Sequence, residues 1–343
     1  MTPSGTGRGP FDKLRARQAP PLLPGDLRHM TSSAPSPRLA FPALLLGAIA
    51  IGFVPLLVRK VELDPSAIAF WRVLLALPVF VVWAVIQRRQ GTPGARTLTP
   101  DDTARAGVRR PLPQPVLNRK EILWLLAPGV LFAADLSTWH VCIRWTSLAN
   151  ATLLANFTPV YMTLAGWLWW RERPTGGFLA GAGLALVGAA ILLGADFGRG
   201  EKPVQGDFVG LLAALFYSGY LLAVKSLRNR HGAAEVMAGS ALACALVLLP
   251  VMLLCEERVV PPAPRDWAVM LAMAWFCHAL GQGLIAWALP ALPAGLAAVG
   301  LLAQVVVAAA TGWRILGEPV TPIQFLGGAV LLAGIWQARR KGI

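Results

Sequence analysis

Charged residues are scarce in this chain. Asp, Glu, Lys and Arg together make up 14% of its 343 residues, whereas hydrophobic residues make up 56%. Soluble globular domains carry roughly 25% charged residues. This composition excludes a soluble globular protein and predicts a polytopic membrane protein whose surroundings are a lipid bilayer.

Cysteine is also rare. The four cysteines (Cys142, Cys244, Cys255 and Cys277) have an irregular spacing that forms neither a disulfide framework nor a metal-ligand pattern. We expect them to be small apolar packing residues. The glycine-rich stretches lie within apolar segments, and none reads GxxxxGK(S/T), the loop that holds nucleotide phosphates. Transport driven by ATP is therefore not expected.

The motifs of intramembrane enzymes are missing as well. A hydrolase of that kind needs a second aspartate within the spans, a GxSG serine or an HExxH zinc site, and the sequence has none of these. We therefore expect no enzymatic activity, no cofactor and no bound metal.

Long apolar runs, by contrast, are abundant. A membrane-spanning helix needs about 20 apolar residues. The sequence predicts ten such segments, at residues 40–58, 67–87, 122–143, 148–170, 176–194, 207–225, 236–255, 267–288, 293–315 and 322–338. Residues 1–38 predict a disordered basic tail, and residues 88–120 predict a flexible loop. Whether translation starts at Met1 or Met30 stays open.

The distribution of Lys and Arg predicts the orientation. In membrane proteins, cytoplasmic loops carry an excess of these residues. With the N-terminus inside, the tail, the 88–120 loop and the other inner segments hold most of the 31 basic residues. We therefore expect a protein of the cytoplasmic membrane with both termini in the cytoplasm. The same distribution accounts for the net charge of +14, so nucleic acid is not an expected partner.

The sequence repeats itself at an offset of 146 residues, which places 166–190 over 312–336. The matched positions are Gly166, Trp167, Glu172, Thr175, Gly181, Leu186 and Gly188 with Gly312, Trp313, Glu318, Thr321, Gly327, Leu332 and Gly334. An odd number of spans separates the copies, so the two halves must have opposite orientations. Inverted-topology repeats are common in secondary transporters, and a receptor or a scaffold has no general need of one.

Three polar side chains are predicted at a similar depth in the membrane. At about 1.5 Å per residue, Arg72, Asp135 and Asn156 all fall in the outer third of the bilayer. An ionisable group within a span marks a functional site by default. A buried structural ion pair between Arg72 and Asp135 stays open as the alternative.

Further polar and aromatic residues are predicted near the same region. Thr152, Asn156 and Pro159 share one face of the fourth segment, where they either line an aqueous cavity or pack helices together. Structural packing is also the alternative for the tyrosines and His278. The candidate substrate path consists of Arg72, Asp135, Trp139, Thr152, Asn156, Pro159, Tyr217, Tyr220, Trp275, His278 and Gln282.

The links between paired helices carry predicted caps. A carboxylate is favoured at a helix N-terminus, and threonine is a good N-cap. The predicted hairpin caps are Glu172, Thr175, Glu318 and Thr321. Gly177 and Gly181 form a GxxxG pair, for which close packing within one chain is favoured over dimerisation, although a homodimer stays open.

The stretch WTSLANATLLANFTPVYMTLAGWLWWRERPTGGFLAGAGLALVGAAILL resembles a repeat of the EamA family of the drug/metabolite transporter superfamily. The matching features are Thr146 and Ser147 before the fourth span, Pro159 within it, the WRER end and the glycine-spaced fifth span. AFWRVLL and AADLSTWHVCIRWTSLANATLLAN are also similar to an EamA subgroup. The second half departs from the pattern, because Val305 and Leu302 stand where the first half has Pro159 and Asn156.

The resemblance implies ten transmembrane helices in two inverted five-helix repeats, at residues 39–194 and 206–339. It also implies carrier-type transport of small organic molecules, and the departures suggest a binding site weighted towards the first half. We expect a secondary transporter that exports or exchanges a small polar metabolite, with an amino acid or related compound among the candidates. A non-transporting membrane sensor or assembly component is the alternative.

Overall fold

The computed structural model describes residues 36–90, 119–194, 201–317 and 319–341. Almost all of the predicted tail (1–38) and of the predicted 88–120 loop therefore lies outside the described residues. The described ends of both predictions are helical, at residues 37–38, 88–90 and 119–120. Within these ranges every regular element is helical. In chain order the elements are α1 (Pro37–Gly52), α2 (Val54–Val58), α3 (Pro65–Gln90), α4 (Arg119–Trp145), α5 (Leu148–Ala155), α6 (Thr158–Trp170), α7 (Gly176–Leu193), α8 (Pro203–Leu227), α9 (Ala233–Cys255), α10 (Pro264–Ala272), a π-helix (Met273–Gln282), α11 (Gly283–Ala288), a 3-10 turn (Leu289–Ala291), α12 (Ala294–Leu301), α13 (Ala303–Leu316) and α14 (Pro322–Lys341).

All ten predicted segments are helical in the described part of the chain. Eight helices there are long and apolar enough to cross a bilayer. Of the other two segments, the fourth is divided into α5 and α6, and α14 is less apolar because it contains Gln324 and Gln337 and ends in basic residues. The all-helical fold of a polytopic membrane protein is confirmed.

The fourth and ninth segments are broken at equivalent positions. Helix α5 ends at its capping residue Asn156 and α12 ends at Leu302, two positions that the 146-residue offset superposes. Pro159 lies in the first turn of α6, where its missing N–H costs nothing. The ninth segment has Val305 in place of this proline and is still broken. A proline is therefore not required for the break in the ninth segment.

Glycines at matched positions allow α7 and α14 to pack closely. A Cβ added at Gly181 or Gly327 would lie 2.5 Å from a backbone nitrogen of the facing helix, and Gly188 and Gly334 leave as little room. The offset of 146 residues pairs Gly181 with Gly327 and Gly188 with Gly334. Small residues of this kind let two helix backbones approach each other within a membrane. Gly181 therefore serves packing inside one chain.

The predicted hairpin caps have different surroundings. The Thr175 hydroxyl accepts a hydrogen bond from the first turn of α7, and the Thr321 hydroxyl accepts one from the first turn of α14. The Glu172 carboxylate does not bond to α7. It contacts Lys225 and the beginning of α12 instead. Glu318 lies outside the described residues.

Replacing a packed glycine should destabilise the bundle. Gly188→Leu would force a side chain into the backbone of α14, and overpacking of this kind costs about 1–3 kcal/mol. Gly183→Leu is the matched control on the same helix, because a Cβ there meets nothing within 4 Å. Thermal unfolding of the purified variants should show a lower melting temperature for Gly188→Leu only. Equal melting temperatures would contradict the tight α7–α14 contact.

Candidate functional site

A cavity of about 200 Å³ lies between helices of the two repeats. Its walls come from α1 to α5, α8, the π-helix and α13. Most of the candidates predicted from the sequence lie in these walls. They are Arg72, Asp135, Trp139, Thr152, Asn156, Tyr217, His278 and Gln282.

The cavity lies towards one end of the bundle. Helices α3 and α5 begin at this end and α4 finishes there, since consecutive spans are antiparallel. Arg72 lies two turns into α3, Trp139 lies within two turns of the end of α4, and Thr152 lies in the second turn of α5. We refer to this end as the mouth end.

Arg72 and Asp135 both line the cavity. No described residue forms an ion pair within 4.0 Å, or a hydrogen bond, with the charged atoms of either side chain. The Nε atom of Arg72 is buried and has no hydrogen-bond partner among the described residues. The structural ion pair that the sequence leaves open is therefore not formed between Arg72 and Asp135 in the described part of the chain.

An amide pair connects the two repeats at the cavity wall. Gln304 Nε2 donates a hydrogen bond to Asn156 Oδ1 at 3.1 Å. Asn156 Nδ2 in turn donates to the backbone oxygen of Thr152 at 2.8 Å, which satisfies a carbonyl next to the helix break. Sequence reasoning missed Gln304, because the repeat offset places Leu302 opposite Asn156. The signal available for Gln304 was that it is the one polar side chain in the apolar stretch GLLAQVVVAAA.

Aromatic rings form one side of the cavity. Phe132 stacks on Tyr220 with a centroid distance of 4.8 Å and on His278 at 5.7 Å. Tyr220 is buried behind the wall, where its hydroxyl donates to Gln282 Oε1 at 3.4 Å. Phe132 was not predicted, although its position three residues before Asp135 places it on the same helix face. Tyr220 thus orients a lining residue and does not line the cavity itself.

The π-helix positions the lining residues of the eighth segment. Its wider turns direct Cys277, His278 and Gln282 towards the cavity, and π-helical turns occur frequently at functional sites. Trp275 lies on the opposite side, where the residue is 55% exposed and its Nε1 donates to the backbone oxygen of Leu75 at 3.2 Å. Among the predicted candidates, Trp275 therefore lies outside the cavity, as does Pro159, which is buried in α6.

Comparison with known proteins assigns the chain to a family. Residues 38–194 and 204–338 both match the EamA-like transporter family. The chain belongs to this family. The resemblance stated from the sequence is confirmed, and the protein is a multi-pass membrane transporter.

Several exporters are similar to this EamA transporter. The pseudopaline exporter CntI of Pseudomonas aeruginosa is 29% identical over 217 residues, or 63% of this chain and 74% of CntI. The probable terminal-alkyne amino-acid exporter of Streptantibioticus cattleyicolor is 27% identical over 245 residues, or 68% of this chain and 77% of that protein. The aromatic amino acid exporter YddG of Ancylobacter novellus is 29% identical over 171 residues, or 49% of this chain and 58% of YddG.

A solved crystal structure has the same fold. It superposes on this EamA transporter with a TM-score of 0.67, at 19% sequence identity, and covers 88% of this chain and 98% of its own. At this level of identity the likeness concerns the helical architecture alone.

Water should reach the cavity wall but not the lipid-facing side of the same segment. In a background without the four free cysteines, Ala155→Cys should react quickly with a water-soluble thiol reagent. Val160→Cys is the control, since Val160 is 46% exposed on the outside of the bundle. The rates should differ by about tenfold or more, because the reactive thiolate forms in water and not in lipid. Equal rates, measured by a gel shift, would contradict a water-filled cavity.

Proposed function

We propose that this EamA transporter carries a small zwitterionic metabolite, such as an amino acid or a related compound, across the cytoplasmic membrane. The observation that carries the proposal is that a basic side chain, Arg72, and an acidic one, Asp135, line one cavity and form no ion pair with any residue that the structure describes. Charges are costly within a bilayer and mark substrate pathways when they face a cavity. A ligand that carries one anionic and one cationic group would satisfy both.

Each charge has a natural partner on such a ligand. The Arg72 guanidinium would bind a carboxylate, for which its fork of donors is well suited. Asp135 would accept hydrogen bonds from an ammonium group. The aromatic side, with Phe132, Tyr217 and Trp139, would contact the remainder of the molecule. A cavity of about 200 Å³ is smaller than the 300–1,000 Å³ or so of sites for drug-sized ligands, which favours a small metabolite.

The names of the relatives support the same substrate class and direction. The relatives from Streptantibioticus cattleyicolor and Ancylobacter novellus are both described as amino acid exporters, and CntI is described as an exporter of pseudopaline. Export, or exchange with a net outward direction, is therefore the direction that we propose.

Alternating access is the proposed mechanism. Away from the mouth end, the halves α6 and α12 of the two broken segments pack against each other. Towards the mouth end, α5 packs on α8 while α13 packs on α1, so the cavity lies between them. Because the repeats are inverted, the opposite arrangement would close the mouth end and open the other end. The breaks at Asn156 and Leu302 are the proposed hinges.

We propose that both termini lie in the cytoplasm and that the mouth end faces outward. A fluorescent protein fused to the C-terminus should then fluoresce, and alkaline phosphatase fused at the same place should be inactive. The phosphatase needs disulfides, which do not persist in the cytoplasm. An active phosphatase fusion would contradict this orientation.

Neutralising either charge should impair transport. Proteoliposomes containing the purified transporter should exchange labelled zwitterions from a panel of amino acids and related compounds. Arg72→Gln and Asp135→Asn should each lower the exchange rate about tenfold or more, since charge-assisted hydrogen bonds contribute about 1.5–3 kcal/mol. Trp275→Phe is the control, because Trp275 lies outside the cavity, and its rate should match the unmodified protein.

Unchanged exchange in both charge variants would overturn the proposed site. If the unmodified protein exchanges nothing from the panel, the proposed zwitterionic substrate class is wrong. Exchange of anions alone or of cations alone would replace the zwitterion with a singly charged substrate.

A further inference from the structure

A buried charged cluster lies at the end of the bundle opposite the mouth end. Glu172 lies in the link between α6 and α7, and Lys225 lies in the last turn of α8. Lys225 Nζ is 3.2 Å from Glu172 Oε1 and donates a hydrogen bond to the backbone oxygen of Leu292 at 2.5 Å. Glu172 Oε2 accepts a hydrogen bond from the backbone nitrogen of Ala294 at 2.9 Å. We refer to these four residues as the Glu172–Lys225 cluster.

The cluster joins the two repeats. Glu172 belongs to the first repeat, whereas Lys225, Leu292 and Ala294 belong to the second. Through these residues the end of α6, the end of α8 and the beginning of α12 are held together. Separation of the repeats at this end would therefore break the contacts of Glu172 with Lys225 and Ala294, whereas the bond from Lys225 to Leu292 lies within the second repeat.

The contacts of the cluster compensate for its burial. The side chains of Lys225 and Glu172 are only 9% and 18% exposed. A buried ion pair is stable only when further hydrogen bonds satisfy both partners, and the backbone groups of Leu292 and Ala294 supply them. The N-terminus of α12 also favours a carboxylate through its dipole. Lys225 Nζ lies 5.6 Å from the centroid of the Trp170 ring, which adds a cation–π contact.

The helices α6 and α12 approach each other closely beside the cluster. A Cβ at Gly166 would lie 2.5 Å from Glu172 Oε2 and 3.4 Å from the Cβ of Ala294. Gly295 next to it packs on Thr163, because a Cβ there would lie 2.5 Å from the threonine hydroxyl oxygen. The halves α6 and α12 are thus in contact at the level where a route from the cavity to this end would have to pass.

We propose that the Glu172–Lys225 cluster is the gate that closes the end of the transporter opposite the mouth, and that it breaks and re-forms in each transport cycle. This inference rests on the proposed alternating access. Breaking the cluster exposes Glu172 and Lys225 to water, which solvates both charges. The free-energy cost of opening the gate is therefore moderate. While the mouth end is open, the bonds of Glu172 to Lys225 and Ala294 keep the gate closed.

A second ion pair at the same end provides a comparison. Arg88 Nε lies 2.8 Å from Glu235 Oε1 and also joins the two repeats, but the Arg88 side chain is 64% exposed. Exposed pairs of this kind contribute little. Of the two pairs, only the buried one is expected to control the opening of this end.

The test measures access to the cavity from each side of the membrane and needs no substrate. Ala155→Cys in the cysteine-free background reports the cavity, and a membrane-impermeant thiol reagent is applied to intact cells or to inverted vesicles. With the gate intact, labelling should come mainly from the mouth side. Glu172→Gln and Glu172→Gln/Lys225→Met should raise the ratio of labelling from the gate side to labelling from the mouth side about tenfold, the order expected when charge-assisted hydrogen bonds are lost.

Two further variants keep the outcome decisive. Arg88→Gln removes the exposed ion pair and should leave the labelling ratio unchanged. The double variant removes both charges, so no unpaired buried charge remains to prevent folding, and size-exclusion chromatography identifies the folded samples. A wild-type ratio in the folded double variant would overturn the gate. A shifted ratio with no exchange of zwitterions by the unmodified protein would overturn the substrate class and leave the gate intact.

Discussion

The structure depends on one constraint: the hydrocarbon of a bilayer offers no hydrogen bonds to replace those of water. Backbone groups must therefore be satisfied within helices, and each polar side chain must find a partner or face a cavity. Two pairs of side chains satisfy each other: Glu172 with Lys225, and Asn156 with Gln304. Arg72 faces the cavity instead: its side chain lines it, and its buried Nε has no hydrogen-bond partner among the residues that the structure describes.

The inverted repeat meets this constraint differently in its two halves. The matched glycines of α7 and α14 and the matched breaks at Asn156 and Leu302 are common to both. Among the lining residues that the structure describes, the acidic and basic side chains Asp135 and Arg72 belong to the first repeat, whereas the second contributes groups such as Gln282 and Gln304. A symmetric scaffold thus encloses an asymmetric site, and the helix breaks lie at the level where the halves meet.

The candidate site could be predicted from the sequence only in part. Counting depth along straight helices was sufficient to bring Arg72, Asp135 and Asn156 to one cavity, because these residues lie in ordinary helical turns or at the break itself. It failed for Trp275, because the π-helix changes the number of residues per turn and directs His278 inward instead. Gln304 was missed because its partner Asn156 lies in the other repeat, and an isolated glutamine in an apolar stretch does not show which residue it contacts.

The sequence by itself determined the helical membrane fold, the ten segments and the repeat, because hydropathy and periodicity are properties of neighbouring residues along the chain. The tertiary structure decided which charged side chains form ion pairs. Glu172 and Lys225 form a pair although they lie in different repeats, while Arg72 and Asp135 remain apart at a similar depth. The reason is that an ion pair requires atoms within about 4 Å, and such distances are set by how whole helices pack.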